Sequence, residues 1–275
     1  MRPALSILIY TNCWVAACVA ALVFGISSYY RIPDSWLYGV WSFTGTVSAY
    51  QAHRLIRLRQ LQYTVRSNRR LLWMQNTYSF QWIWLILNFI AFGSLSLLIP
   101  LTNSTISLII LNAIIVGLYV IPLPFLKNGI RSLPFAKNIL ISLSWTCIIA
   151  VPFTSNNLQI DWRIPALIFI SVFAQIIPFD ARDKDYDDQR MRTIPQLIGT
   201  EASKYVGFAL LLVSLALQTS IVGFHWILPF IVFCAAIGHL ISFKVGYQLR
   251  LEFMWELPLG LMGLWFLLCS HFGGG

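Results

Sequence analysis

Five of the ten acidic residues in this chain, Asp180, Asp183, Asp185, Asp187 and Asp188, fall within nine consecutive positions. They end a segment, Ile164 to Phe179, that carries no charge at all. Ionisable groups at a membrane helix are costly and mark a functional site by default. If the helix continues through the run, Asp180, Asp183 and Asp187 share one face, because steps of three and four residues nearly close a turn. Three carboxylates on one stripe repel one another unless a cation sits between them, and a hard divalent ion with oxygen ligands suits that place.

The elements that must position these carboxylates are apolar. The chain has 275 residues, 58% hydrophobic and 11% charged, with a mean hydropathy of +0.72. A soluble domain carries about a quarter charged residues, so the composition specifies an all-α polytopic membrane protein, one domain over 1–275. Nine stretches near ~20 residues read as transmembrane helices: about 5–27, 33–53, 80–100, 105–124, 137–153, 162–180, 204–222, 226–243 and 255–271. Pro152 and Pro165 blur the bounds of the fifth and sixth. The first stretch is too long for a signal peptide and lacks the small-residue cleavage pattern, so it is expected to stay as a helix.

Of the 19 Lys and Arg, 17 fall in one set of loops, and Arg31 and Arg163 lie in the other. This asymmetry predicts an integral protein of the inner membrane, with a cytoplasmic N-terminus, the C-terminus on the far side and the Asp run facing the cytoplasm. Basic loops beside anionic lipid account for the net charge of +9 and call for no nucleic acid. Cys13, Cys18, Cys147, Cys234 and Cys269 lie inside apolar spans without metal-like spacing and read as packing residues. Gly93 with Ser96, and Gly260 with Gly263, suit close helix packing.

Two cytoplasmic loops dominate, 54–79 and 180–203. The first follows Gln51-Ala-His53-Arg54-Leu-Ile-Arg57, where Arg54, Arg57 and Leu61 keep helical spacing. The second span is therefore expected to run on as a basic helix. It either anchors to lipid headgroups or forms an anion-binding wall beside the Asp run. Between Pro122 and Asn138, two prolines end the fourth helix, and Gly129 and Pro134 turn the chain before Lys137 and Asn138 open the fifth. Such a place reads either as a plain connector or as a phosphate site, with Lys127, Arg131 and Lys137 near the free amides of a helix start. Of four scattered histidines, His53 alone sits at the cytoplasmic mouth. No P-loop, Ser-His-Asp set or His-Glu-x-x-His pattern is present.

The stretch Asp180-x-x-Asp183-x-x-x-Asp187, followed by Arg192-Thr193-Ile194-Pro195-Gln196-Leu197-Ile198-Gly199, resembles the second Asp-rich motif of the UbiA superfamily of intramembrane prenyltransferases. The resemblance implies a UbiA-like bundle of nine helices with a cytoplasm-facing cavity. It implies Mg²⁺ held by Asp180, Asp183 and Asp187, and a prenyl diphosphate whose allylic group passes to an aromatic or other lipophilic acceptor within the membrane. His53, Arg54, Arg57, Lys127, Lys137, Asn138 and Arg192 are then candidates to contact the diphosphate. The family's first motif, N-D-x-x-D-x-x-x-D, belongs at the end of the second helix. Here that place reads Ser48-Ala-Tyr50-Gln51-Ala-His53-Arg54, and no Asp or Glu occurs between Asp34 and Asp161. Met191 also stands where the family keeps a Gly nearby. One reading has His53, Arg54 and Arg57 contacting the diphosphate in place of one metal. The alternatives are a catalytically degenerate isoprenoid- or lipid-binding protein and a terpene cyclase of the same fold. A transporter is disfavoured, because the polar residues gather at one side of the membrane and not at its midplane.

Overall fold

The computed structural model describes residues 3–60, 69–121, 130, 133–184, 192–223 and 249–272, and among them every regular element is helical. In chain order these are α1 (Pro3–Tyr10), α2 (Cys13–Tyr29), α3 (Ser35–Gln60), α4 (Arg69–Asn76), α5 (Tyr78–Ser96), α6 (Asn103–Val120), α7 (Ala136–Ser155), α8 (Arg163–Asp183), α9 (Ile194–Ile198), α10 (Thr200–Val222) and α11 (Leu249–Phe272). Seven of the nine expected spans each coincide with one helix of this set, 5–27 is divided between α1 and α2, and the one expected at 226–243 lies outside the described residues. Among the described residues, five helices are long and apolar enough to cross a membrane: α5, α6, α7, α8 and α10. Apolar stretches in α2 and α11 are shorter.

One expectation needs correcting. The stretch 5–27 is not a single helix but is broken at Thr11–Asn12, where Asn12 turns left-handed at φ 64°. Asparagine tolerates that conformation. Thr11 also gives its hydroxyl proton to the Ile7 carbonyl at 2.7 Å, satisfying one of the carbonyls left open at the end of α1. The second span does run on as expected, since α3 continues through Gln60.

The interior is built from α2, α3, α7, α8 and α11, whose buried Leu22, Ile26, Trp41, Ile149, Leu167, Ile168 and Phe266 share one apolar cluster. Glycine sets the closest crossing. A Cβ on Gly25 would stand 1.8 Å from the Gly263 carbonyl oxygen, and one on Gly263 would stand 2.3 Å from the Ala21 backbone. Gly260 lies against Cys18. The pair Gly260 and Gly263 thus has the packing role expected of it. Gly93 meets nothing within 4 Å, while Ser96 accepts a hydrogen bond from the Trp41 indole at 2.9 Å. Helices α5, α6 and α10 turn rows of large apolar side chains outward, among them Phe89, Ile90, Ile110, Ile114 and Leu212. Such a surface suits lipid and not water.

The far end of the bundle is tied by Arg163, which forks onto Asp161 and donates to the Ser220 carbonyl at 2.6 Å. Asp161 precedes α8, and hydrogen bonds from Arg163 hold its carboxyl below the usual carboxylate range. A depressed native pKa contributes stability that is complete above the unfolded value, about pH 4, and fades as pH falls through the native one. The pair is exposed and screened, so the effect is small. Asp161→Asn should lie slightly below the parent in thermal midpoint at pH 7, and the gap should narrow as pH falls below about 4.

Candidate active site

The opposite end of the bundle gathers the chemistry. Pro178 interrupts α8 two residues before Asp180, removing an N–H from the ladder near its end. The helix nevertheless continues through Asp183, so Asp180 and Asp183 stand one turn apart on α8. Asp180 is fully buried. Its Oδ1 accepts a hydrogen bond from Lys137 Nζ at 2.6 Å. Lys137 lies in the first turn of α7, as expected, and Phe135 enters that turn in the left-handed region at φ 61°. A bulky residue there is strained by about 1–3 kcal/mol and persists only when its surroundings impose it. Asn138, next along, is 1% exposed, and its amide finds no partner among the described residues.

The family-like segment after the Asp run also folds coherently. Arg192 is exposed and left-handed at φ 45°. Thr193 then starts α9, its backbone N–H donating to Gln196 Oε1 at 2.9 Å. Gly199 at φ 82° turns α9 into α10, a conformation that favours glycine. The short helix α9 packs on both α8 and α10.

At the end of α3, where carboxylates would stand in the resembling family, neutral amides are found. Asn12 Nδ2 donates to Gln51 Oε1 at 3.1 Å, Gln51 Nε2 donates to Gln81 Oε1, and Gln81 Nε2 donates to Thr77 Oγ1 at 2.8 Å. Both glutamines are fully buried. The relay joins the α1–α2 break to α3 and α5 and explains why Asn12 is held left-handed. Gln51→Leu would remove the acceptor of Asn12 Nδ2 and the donor to Gln81 Oε1, at a cost of about 2 kcal/mol by thermal unfolding.

His53 lies on α3 with its ring 5.0 Å from that of Tyr119 at the end of α6. Arg54 Nη1 donates to the Tyr10 carbonyl at 3.2 Å, capping α1. Arg57 continues α3 one turn beyond Arg54. Lys127 and Asp187 lie outside the described residues. The structure therefore brings Lys137, Asn138 and Asp180 together and places His53 and Arg54 on a separate helix at the same end of the bundle.

Several residues in and below this mouth were not singled out from sequence. Tyr50 on α3 is hydrogen-bonded to Trp145 on α7 and lies within electrostatic reach of Glu256, Tyr119 and Arg54. Ser142 and Gln175 are buried polar residues on α7 and α8. The signal that could have found them is a lone amide, hydroxyl or carboxylate inside an apolar span.

These observations define a helical membrane bundle with one polar, charged mouth over a buried polar interior. No family model matches the chain, and no curated protein matches it in sequence. Solved structures do match in fold. A UbiA homolog from Archaeoglobus fulgidus bound to GPP and Mg²⁺ superposes with a TM-score of 0.61 at 14% identity, covering 97% of this chain and 96% of that one. An apo UbiA homolog from Aeropyrum pernix K1 gives 0.62 at 14%, covering 91% and 96%. A digeranylgeranylglyceryl phosphate synthase gives 0.56 at 15%, covering 97% and 96%. The chain has the UbiA fold.

Proposed function

We propose that the chain is a divergent intramembrane prenyltransferase that binds a prenyl diphosphate at the Asp180 mouth and transfers its allylic group to a lipophilic acceptor. The observation that carries this reading is the Lys137–Asp180 pair at 2.6 Å, its carboxylate buried and its lysine partly exposed, at the end of the helix bearing the Asp run, in a chain of UbiA fold. The fold's neighbours include one bound to GPP and Mg²⁺ and one bound to DMAPP and Mg²⁺. The mouth is read as cytoplasmic and the chain as spanning the membrane nine times, in line with its basic asymmetry.

By the resemblance, Asp180, Asp183 and Asp187 would supply oxygen ligands to one hard cation, whereas α3 around Gln51 supplies only neutral amides and basic groups. Mg²⁺ bound to these carboxylates would neutralise negative charge on the diphosphate oxygens. Lys137 holds the Asp180 carboxylate in place and is positioned to turn its ammonium toward an incoming diphosphate. His53 and Arg54 would supply donors from α3, and Arg192 one from the approach to α9. The chemistry is a displacement at the allylic carbon. Its C–O bond breaks with the electron pair leaving on diphosphate, the acceptor atom bonds to the carbon, and the acceptor loses a proton. The apolar helices around the mouth exclude water that would compete as nucleophile.

A second reading, an isoprenoid-binding protein without turnover, is favoured by one specific observation: the neutral relay at Gln51 stands where carboxylates would be needed for a second metal. Pyrophosphate release separates the two. Membranes containing the protein, supplied with prenyl diphosphates of several lengths and native lipid extract, should release pyrophosphate with Mg²⁺ and not with chelator. Asp183→Asn should reduce that release at least about a hundredfold. Absence of release at every chain length would leave the binding reading.

A further inference from the structure

Four helices converge on one phenol inside the bundle. Tyr50 on α3 receives a hydrogen bond from the Trp145 indole on α7, and lies within electrostatic reach of Tyr119 on α6, Glu256 on α11 and Arg54. Glu256 is also within reach of Cys18 on α2. One turn further along α11, a Cβ on Gly260 would stand 3.2 Å from the Cys18 sulfur, which holds this part of α11 against α2. Tyr50, Tyr119 and Glu256 are each half-buried. Tyr50 also packs on the apolar core, with groups of three other helices around it. The surface that it leaves open therefore faces the space between those helices and not lipid. Trp145 stands two turns beyond Lys137 on α7, which puts this space on the apolar side of the mouth.

Glu256 opens the apolar part of α11. A carboxylate in such a place is costly, and helix packing alone does not call for one. With the indole donating to its oxygen, Tyr50 keeps its own hydroxyl proton to give, while an ionised Glu256 can only accept. One donor and one acceptor beside the same space match a hydroxyl group, which accepts from the phenol and donates to the carboxylate. A ligand carboxylate or phosphate would face the charge of Glu256, and a hydrocarbon would leave both groups unmet. Prenyl transfer also leaves a proton to be taken up. Asp180 is engaged by Lys137 at the mouth, whereas Glu256 lies beside the apolar space where a lipophilic acceptor would sit.

We propose that Tyr50 and Glu256 form the subsite for a hydroxyl group of the lipophilic acceptor, and that Glu256 takes the proton which the acceptor loses. The proton transfer rests on the prenyl-transfer reading; the hydroxyl subsite does not. In the balanced step, the allylic C–O bond breaks with its electron pair leaving on diphosphate. The acceptor atom bonds to the allylic carbon, and the proton passes from the acceptor to the Glu256 carboxylate, which becomes the neutral acid.

The first test needs no turnover. The chain contains three glutamates, Glu201, Glu252 and Glu256, so ¹³C-labelling of glutamate carboxyls gives a sparse infrared signal. The full chain in lipid nanodiscs, without prenyl diphosphate, is exposed to 4-dodecylphenol and to its methyl ether, which cannot donate. The phenol should shift one glutamate carboxylate band and the ether none. The shift should vanish in Glu256→Gln, persist in Glu201→Gln and Glu252→Gln, and need about tenfold more phenol in Tyr50→Phe, as for one lost hydrogen bond. No shift, an equal shift with the ether, or a shift that survives Glu256→Gln would overturn the subsite. With turnover, Glu256→Gln should lower kcat about a hundredfold while the KM for prenyl diphosphate stays within about twofold, and Glu256→Asp should recover part of the loss. Pyrophosphate release that Glu256→Gln leaves unchanged would overturn the proton transfer and keep the transferase reading. A Glu256-dependent shift in a protein that releases no pyrophosphate would keep the subsite and refute that reading, and the proton transfer with it.

Discussion

Lys137→Met is expected to destabilise the protein by about 3–5 kcal/mol, because it removes the ammonium in contact with a fully buried carboxylate. Asp180 has no exposed surface and its oxygen lies 2.6 Å from the ammonium, so solvent cannot replace the lost charge. In a chain of this size that corresponds to a thermal midpoint lower by on the order of 10 °C. The double variant Lys137→Met/Asp180→Leu should recover most of the loss, since removing both ions removes the desolvation penalty along with the attraction. Magnesium makes the prediction sharper. A divalent ion should raise the midpoint of Lys137→Met more than that of the parent, because the carboxylates of the run would then lack their resident cation. Thermal unfolding in detergent, with and without Mg²⁺, reads all of these. A Lys137→Met protein as stable as its parent would show that Asp180 is neutral or solvated, and would remove the electrostatic basis of the mouth.

The second large effect lies at the α2–α11 crossing. Gly25→Val or Gly263→Val places side-chain atoms on the facing backbone, where even a Cβ would stand 1.8 Å and 2.3 Å away respectively. Backbone cannot rotate aside as a flexible side chain can, so the helices must separate. The cluster containing Leu22, Ile26 and Phe266 then loses its packing. Overpacking of a tight interior costs about 1–3 kcal/mol and sometimes more, and both sites should fall at the upper end. Gly93→Val, by contrast, meets open space and should be close to neutral. Comparing the yields and thermal midpoints of the three variants checks this contrast. Equal tolerance at all three would refute the close crossing.

Much of this architecture is legible from residue order because lipid imposes simple rules. Apolar stretches of spanning length must be helices, and seven of the nine expected ones each coincide with one helix here. The Asp180–Gly199 block stood out in the sequence through its resemblance to a family motif, whereas the short helix α9, its Thr193 cap and the turn at Gly199 appear only in the structure. The break at Asn12 was not legible, because it depends on a partner 39 residues away, Gln51, and periodicity within one segment cannot see it. Lys137 was recognised as basic and near a helix start, but its pairing with Asp180 joins positions 43 residues apart.

Binding of radiolabelled GPP to the purified protein in nanodiscs tests the central claim, a diphosphate site at the Asp180 mouth, most directly. Saturable binding that requires Mg²⁺, and that falls at least about tenfold in both Asp180→Asn and Asp183→Asn, is the predicted result. Binding that is absent, or that persists in chelator and in both variants, would contradict it.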